Sequence, residues 1–135
     1  MSNFTEIFNF LKVSIKKRIQ SFGFALKGLV TLFKTQPNAR IHLLAMCIVT
    51  VAGYLLKVST ADWCFIVIAF AMVLAAEAFN TAIEFVVDLA SPDYHDLAGK
   101  AKDVAAAAVL ITAIGAAIIG GIVFLPKLLM LLKQQ

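Results

Sequence analysis

The chain has 135 residues, enough for one domain, and 61% of them are hydrophobic, with mean hydropathy +0.92. That is too apolar for a soluble fold whose surface must stay wet, so a membrane protein is expected. Of the twelve basic residues, seven (Lys12, Lys16, Lys17, Arg18, Lys27, Lys34 and Arg40) precede the first long apolar run, where Glu6 is the lone acid. The net charge of +4 is therefore concentrated in one basic segment, which suits a membrane surface better than nucleic acid in a chain this apolar. Cys47 and Cys64 lie in separate apolar runs without partner spacing, which argues against a disulfide framework or a zinc site.

The first forty residues are amphipathic and lack the compact apolar stretch of a cleavable signal peptide. Ile7, Phe8, Leu11, Ile15, Phe22, Leu26, Leu29 and Phe33 recur at roughly helical spacing with lysines between them. The pattern predicts an interfacial amphipathic helix over about residues 5–34. Thr35-Gln36-Pro37-Asn38 interrupts it, and the missing N–H of Pro37 suits a turn into a first membrane span.

Three spans are predicted, at about residues 41–57, 63–90 and 103–126. The first contains sixteen uncharged residues, short for a hydrocarbon core of about 30 Å, but Arg40 and Lys57 can snorkel from its ends. A tight turn at 57–62 leads to the second, and Ser91-Pro92-Asp93-Tyr94-His95 ends it. The third is rich in small residues: Ala105 to Ala108 run together, and Ala113, Ala117 and Gly121 recur every fourth position. Small residues let helix backbones approach closely in lipid, and three spans alone offer few partners, so an oligomer is expected. With the N-terminus inside, nine basic residues lie in the cytoplasm and three outside, the orientation that the positive-inside rule selects.

The second span carries Glu77, Asn80, Glu84 and Asp88 on an otherwise apolar helix. At about 100° per residue all four fall inside an arc of about 80°. Ionisable groups inside a span are costly and are functional candidates by default. Entry at Trp63 puts Glu77 roughly 8–9 Å below the cytoplasmic interface, Glu84 at it and Asp88 beyond it. A proton- or ion-carrying carboxylate usually lies nearer the midplane. This gradient suits a reaction between a lipid head group and a soluble reactant. Lys100, Lys102 and Asp103, just before the third span, add charge on the same side. Carboxylates that hold Mg²⁺ and a lysine facing phosphate oxygens are what phosphoryl transfer needs, and a shallow glutamate can act as general base on a lipid hydroxyl. No Walker-type glycine loop is present, so nucleotide binding would be unconventional. Asp93 and Asp96 read as solvated loop acids, His42 as a satisfied interfacial histidine and His95 as a loop residue. The competing class is a small oligomeric transporter or channel subunit using Glu77; a non-catalytic anchor leaves the buried acids unexplained.

The run Glu77-Ala78-Phe79-Asn80-Thr81-Ala82-Ile83-Glu84-Phe85-Val86-Val87-Asp88, then Tyr94-His95 and Ala101-Lys102-Asp103, closely resembles the prokaryotic diacylglycerol kinase family, which includes undecaprenol kinases. The likeness runs from about residue 17 to 127 and includes Ser21-Phe22, Ala25, Gly28 and Asn38-Ala39-Arg40-Ile41-His42. The resemblance implies an all-α homotrimer of three-span subunits with an N-terminal surface helix, in a bacterial inner membrane. Its sites would face the cytoplasm between subunits, where Mg²⁺ and ATP serve phosphorylation of a lipid alcohol. Carried over by motif, Glu77 looks like the general base and Glu84 a metal ligand. Asn80 looks like a polar group of the site, Asp88 and Asp103 like nucleotide-side residues, and Lys102 like a phosphate contact. Lys17 matches a basic position approaching the nucleotide. A second acidic metal ligand of many members is Gln36 here; it offers a carbonyl oxygen without charge, which should weaken Mg²⁺ binding. The Asn38–Leu43 stretch, the turn at 57–59 and the ending Leu125-Pro126-Lys127 look more like the undecaprenol kinases than the diacylglycerol kinases.

Overall fold

The computed structural model describes residues 2–133, with side chains described from residue 15 onward. The side chains of Ile7, Phe8, Leu11 and Lys12, assigned above to the surface helix, lie outside the described residues. Four helices make up the structure: α1 Ser2–Thr35, α2 Pro37–Leu55, α3 Thr60–Ala90 and α4 Asp96–Leu132. Two units divide between them, one ending at Thr35 and one beginning at Gln36.

The first unit is α1, a continuous helix of 34 residues. Ile15, Ile19, Phe22, Phe24, Leu26, Leu29 and Val30 are exposed on it, in company with its cations. The Lys27 ammonium lies 5.8 Å from the centroid of the Phe24 ring, within cation–π range. Ser21 and Thr31 turn their hydroxyls back onto the carbonyls of Lys17 and Lys27, four residues earlier, so these polar groups add little outward polarity.

The second unit holds α2, α3 and α4, each long and apolar enough to cross a membrane. Short connections make consecutive helices antiparallel neighbours; α3 packs most extensively on α4 and less on α2. The interruption expected around residues 35–38 narrows to Gln36, whose extended backbone (φ −105°, ψ 110°) precedes Pro37 in the first turn of α2. Proline at that position loses no hydrogen bond and has its φ already set for the helix. Starting there gives α2 19 residues, or about 28 Å. The span that looked short thus comes close to the thickness of the hydrocarbon core. Helix α4 begins at Asp96, nearly two turns before the predicted span, because the His95 Nδ1 accepts the N–H of Leu97 (3.2 Å) as an N-cap. Lys100, Lys102 and Asp103 are consequently helical.

The α2–α3 corner is closed by two matched devices. Lys57 takes φ 48°, the N–H of Val58 reaches the Gly53 carbonyl (3.1 Å), and that of Lys57 reaches Tyr54 (3.2 Å). This is the paired closure of a Schellman motif, with a lysine in the left-handed position that glycine usually fills. Ser59 and Asp62 then form a reciprocal capping box at the start of α3. Behind the corner, Val58, Ile66 and Val123 form a small core with Val49, Trp63, Phe70, Ile119 and Phe124 around it. A Cβ on Gly53 would lie 2.8 Å from two ring carbons of Trp63. Only glycine lets the indole lie this close to the α2 backbone.

Gly53→Ala is therefore expected to destabilise the bundle by about 1–3 kcal/mol through overpacking. A drop in unfolding temperature in detergent micelles would be the readout, and an unchanged temperature would show that Trp63 can move aside.

Candidate active site

At the opposite end of the bundle, α3 buries three polar residues: Glu77 is 1% exposed, Asn80 8% and Thr81 4%. Thr81 accounts for itself, since its hydroxyl donates to the Glu77 carbonyl (2.8 Å). Asn80 and Glu84 stand one turn apart, and the Asn80 Nδ2 donates to the Glu84 Oε1 (2.9 Å). The second oxygen of Glu84 is met from the residue that precedes α2: the Gln36 Nε2 donates to Oε2 at 2.9 Å. Two neutral amide donors thus hold both oxygens of a half-buried carboxylate, and such charge-assisted bonds are about twice as strong as neutral ones. Gln36 does reach Glu84, but through its N–H rather than its carbonyl.

Glu77 is held differently. Its Oε1 lies 3.3 Å from the Nε2 of His42 on α2, a polar contact without the alignment of a hydrogen bond, and no hydrogen-bond donor is seated on that oxygen. The Asn80 Oδ1 is also buried without a partner. A buried polar atom left unpaired costs about 1–3 kcal/mol, and Glu77 and Asn80, one turn apart on α3, each carry one. His42 also lines a cavity of about 270 Å³ between α2, α3 and α4, walled by Met46, Ile66, Phe70, Val73 and the small residues Ala113, Ala116, Ala117 and Gly120. Within the single chain, this part of the small-residue stripe of α4 opens a groove.

One turn beyond Glu84, the Asp88 carboxylate pairs with the Lys102 ammonium across the α3–α4 junction. Beside that pair lies a second cavity of about 200 Å³, mixed in lining, with Val87, Ser91, Asp93, Tyr94, His95 and Gly99. Asp103 is exposed on the first turns of α4 and is not part of its wall. Lys17 is exposed on α1, in the other unit. The sequence-predicted residues of the second unit therefore divide into a Glu77–Asn80–Glu84 cluster joined by Gln36, and an Asp88–Lys102 pair. Asp96 and Lys100 form an exposed pair one turn apart (2.5 Å), of the surface kind that contributes little.

The motif that carries these residues decides the family. The family model for prokaryotic diacylglycerol kinase matches residues 23–124. The chain belongs to the prokaryotic diacylglycerol kinase family. It is a lipid kinase. It is 38% identical over 114 residues to the undecaprenol kinase of Bacillus subtilis, covering 84% of this chain and 93% of that protein. Against the diacylglycerol kinase of Synechocystis it is 42% identical over 113 residues, 83% of this chain and 65% of the relative. For the diacylglycerol kinase of Escherichia coli K12 the figures are 34% over 100 residues, 74% and 82%.

A kinase of this family calls for a divalent metal, and the second unit can be tested for fit. Among the described residues no group of three or more His, Cys, Asp or Glu gathers around one point. What is present is an oxygen set: the Glu84 carboxylate, the orphaned Asn80 Oδ1 and, after a half-turn of its amide, the Gln36 carbonyl. A hard cation that keeps several waters and shares the phosphates of a nucleotide needs only one or two carboxylates from the protein, and this set fits that demand. Sequence reasoning passed over His42 as an interfacial histidine. The available signal was its place two residues after Arg40, inside the quoted Asn38–His42 run, but its partner could not be read from spacing.

In this lipid kinase Gln36→Glu would set two carboxylates against each other where an amide now donates. The variant should unfold at a lower temperature in chelator, recover with added Mg²⁺, and need less Mg²⁺ for its half-maximal rate. Metal-independent unfolding in the variant would remove residue 36 from the metal's surroundings.

Proposed function

We propose that this lipid kinase transfers the terminal phosphoryl group of ATP to the hydroxyl of a membrane lipid alcohol, with Glu77 as general base. The observation that carries the proposal is the buried Glu77 carboxylate, with an oxygen that no hydrogen-bond donor occupies, near the polar end of an apolar groove. A lipid trailing hydrocarbon can bring its hydroxyl to that depth, whereas a soluble alcohol has no reason to. Glu77 removes the hydroxyl proton; the lipid oxygen forms its bond to the γ-phosphorus as the bond to the β-phosphate oxygen breaks, and ADP leaves. A bound divalent cation, with Mg²⁺ favoured, supplies neutralisation of phosphate charge. Glu84, Asn80 and Gln36 would hold it. Asp88 orients Lys102 toward the phosphates, with Asp103 as a further nucleotide-side residue.

Undecaprenol is the favoured lipid. The Bacillus subtilis relative named for it matches over nearly its whole length, and a groove walled by alanine and glycine on α4 leaves room for a branched chain. The protein belongs in a bacterial inner membrane as a trimer, with α1 an amphipathic helix on the cytoplasmic surface and the Ser91 end of the bundle inside. The exposed apolar faces of all three spanning helices support both lipid and subunit contact.

Purified protein given ATP and each lipid in turn should phosphorylate undecaprenol with higher kcat/KM than diacylglycerol. Glu77→Gln should lower kcat by at least about 100-fold, the scale of general-base catalysis, while the folded oligomer survives. Undiminished turnover in that variant would remove Glu77 as the base. In a chain with Cys47 and Cys64 replaced, an impermeant thiol reagent applied outside should label a cysteine at Ser59 and spare one at Gly99. The reverse pattern would put the acidic face away from cellular ATP.

A further inference from the structure

His42 both lines the apolar groove and meets the Glu77 carboxylate. It lies in the second turn of α2, its ring forms part of the groove wall, and its Nε2 is 3.3 Å from the Glu77 Oε1. The Glu77 side chain is 2% exposed and that of His42 24%, so the contact is closed to water on the carboxylate side and open on the imidazole side. The neighbours of Glu77 are committed elsewhere: the Asn80 amide to Glu84, the Thr81 hydroxyl to the Glu77 backbone, and the Gln36 amide to the far oxygen of Glu84.

We infer that His42 is the positioning residue for Glu77 in phosphoryl transfer: its Nε2–H holds Oε1 and turns the second carboxylate oxygen to the lipid hydroxyl at the head of the groove. The inference rests on the proposed role of Glu77 as base. A carboxylate on a helix has free rotation at its last torsion, and a general base must meet its proton at about 2.6–3.2 Å. The contact at 3.3 Å needs a small approach to become a hydrogen bond, and such bonds commonly tighten once substrate is bound. A fixed cation in place of the imidazole would favour the charged carboxylate and weaken it as a base. The Nε2–H of a neutral imidazole orients the carboxylate without that penalty, and the same N–H exists on the imidazolium. Either form offers the N–H that orients the carboxylate, and the neutral form does so without weakening the base.

The test compares wild type, His42→Leu, His42→Gln and His42→Asn in steady-state kinetics with ATP and undecaprenol, after each is shown to keep the wild-type elution volume and unfolding temperature. Glutamine can place an N–H where Nε2 stands; asparagine, one carbon shorter, cannot. The expected result is a fall in kcat of about 10- to 100-fold for leucine and asparagine, below the full worth of a general base, with both KM values within about twofold and glutamine restoring most of kcat. If leucine keeps the wild-type kcat, or loses only lipid KM, His42 is merely groove wall and the inference fails. Should the leucine variant not fold, equal kcat for glutamine and asparagine overturns it alone. Inactive wild type would instead defeat the reading of the protein as an ATP-dependent kinase of this lipid. An active wild type whose Glu77→Gln variant keeps full turnover would defeat Glu77 as base.

Discussion

Burying a carboxylate inside an apolar helix bundle is the constraint on which the rest of this structure depends. An isolated ion moved from water into such surroundings costs several kcal/mol even after relaxation, and α3 carries Glu77 at 1% exposure. The surrounding elements are arranged to make that tolerable. Pro37 starts α2 four residues ahead of its uncharged run, which brings Gln36 to Glu84 and His42 to Glu77. Asn80 secures Glu84 from one turn away on the same helix. Each partner meets part of the demand, and none meets all of it: Oε1 of Glu77 and Oδ1 of Asn80 remain without hydrogen bonds.

The bundle separates stability from chemistry along its length. The Lys57 end is tightly closed, with a Schellman turn, a capping box, the Gly53–Trp63 contact and the Val58–Ile66–Val123 core within a short distance of one another. The Ser91 end carries the exposed loop and the cavity beside the Asp88–Lys102 pair, while the apolar groove runs from His42 back to Val49, Ile66, Phe70 and Ile119 of that core. Core residues are few, and most large apolar side chains face outward. In water that balance would fail; in hydrocarbon, outward leucine and isoleucine are solvated, and packing of small residues and polar contacts between helices take over. Helix α3, a third of whose apolar window is buried against about a tenth for α2 and α4, is the element around which the other two are arranged.

The likeness to both diacylglycerol and undecaprenol kinases fits this division of labour. Both substrates present a hydroxyl at the interface and trail hydrocarbon below it, so the same buried acid could serve either. What can differ is the groove wall, and here it is built by short side chains on α4 against Met46, Ile66 and Phe70. On the proposed mechanism, substrate choice would then be a matter of volume in the hydrocarbon region, and the phosphoryl chemistry would stay with α3 and the α3–α4 junction.

Local periodicity determined a great deal. Uncharged runs long enough to cross a bilayer, and helical spacing that stacks Glu77, Asn80 and Glu84 on one face, follow from the sequence because they depend only on rise and turn per residue. The motif from Glu77 to Asp103 was equally legible, and with it the family. Helix ends were less so: α2 begins earlier than its apolar run because proline tolerates a first turn, and α4 begins earlier because His95 caps it. Only the tertiary structure could decide what faces Glu77. His42 is thirty-five positions away in sequence, and its meeting with the carboxylate depends on how α2 lies against α3. The same holds for Gln36 and Glu84, and for Lys102 and Asp88. Contacts within one helix are set by chain geometry, whereas contacts between helices are set by packing, and no spacing rule in a linear sequence encodes them.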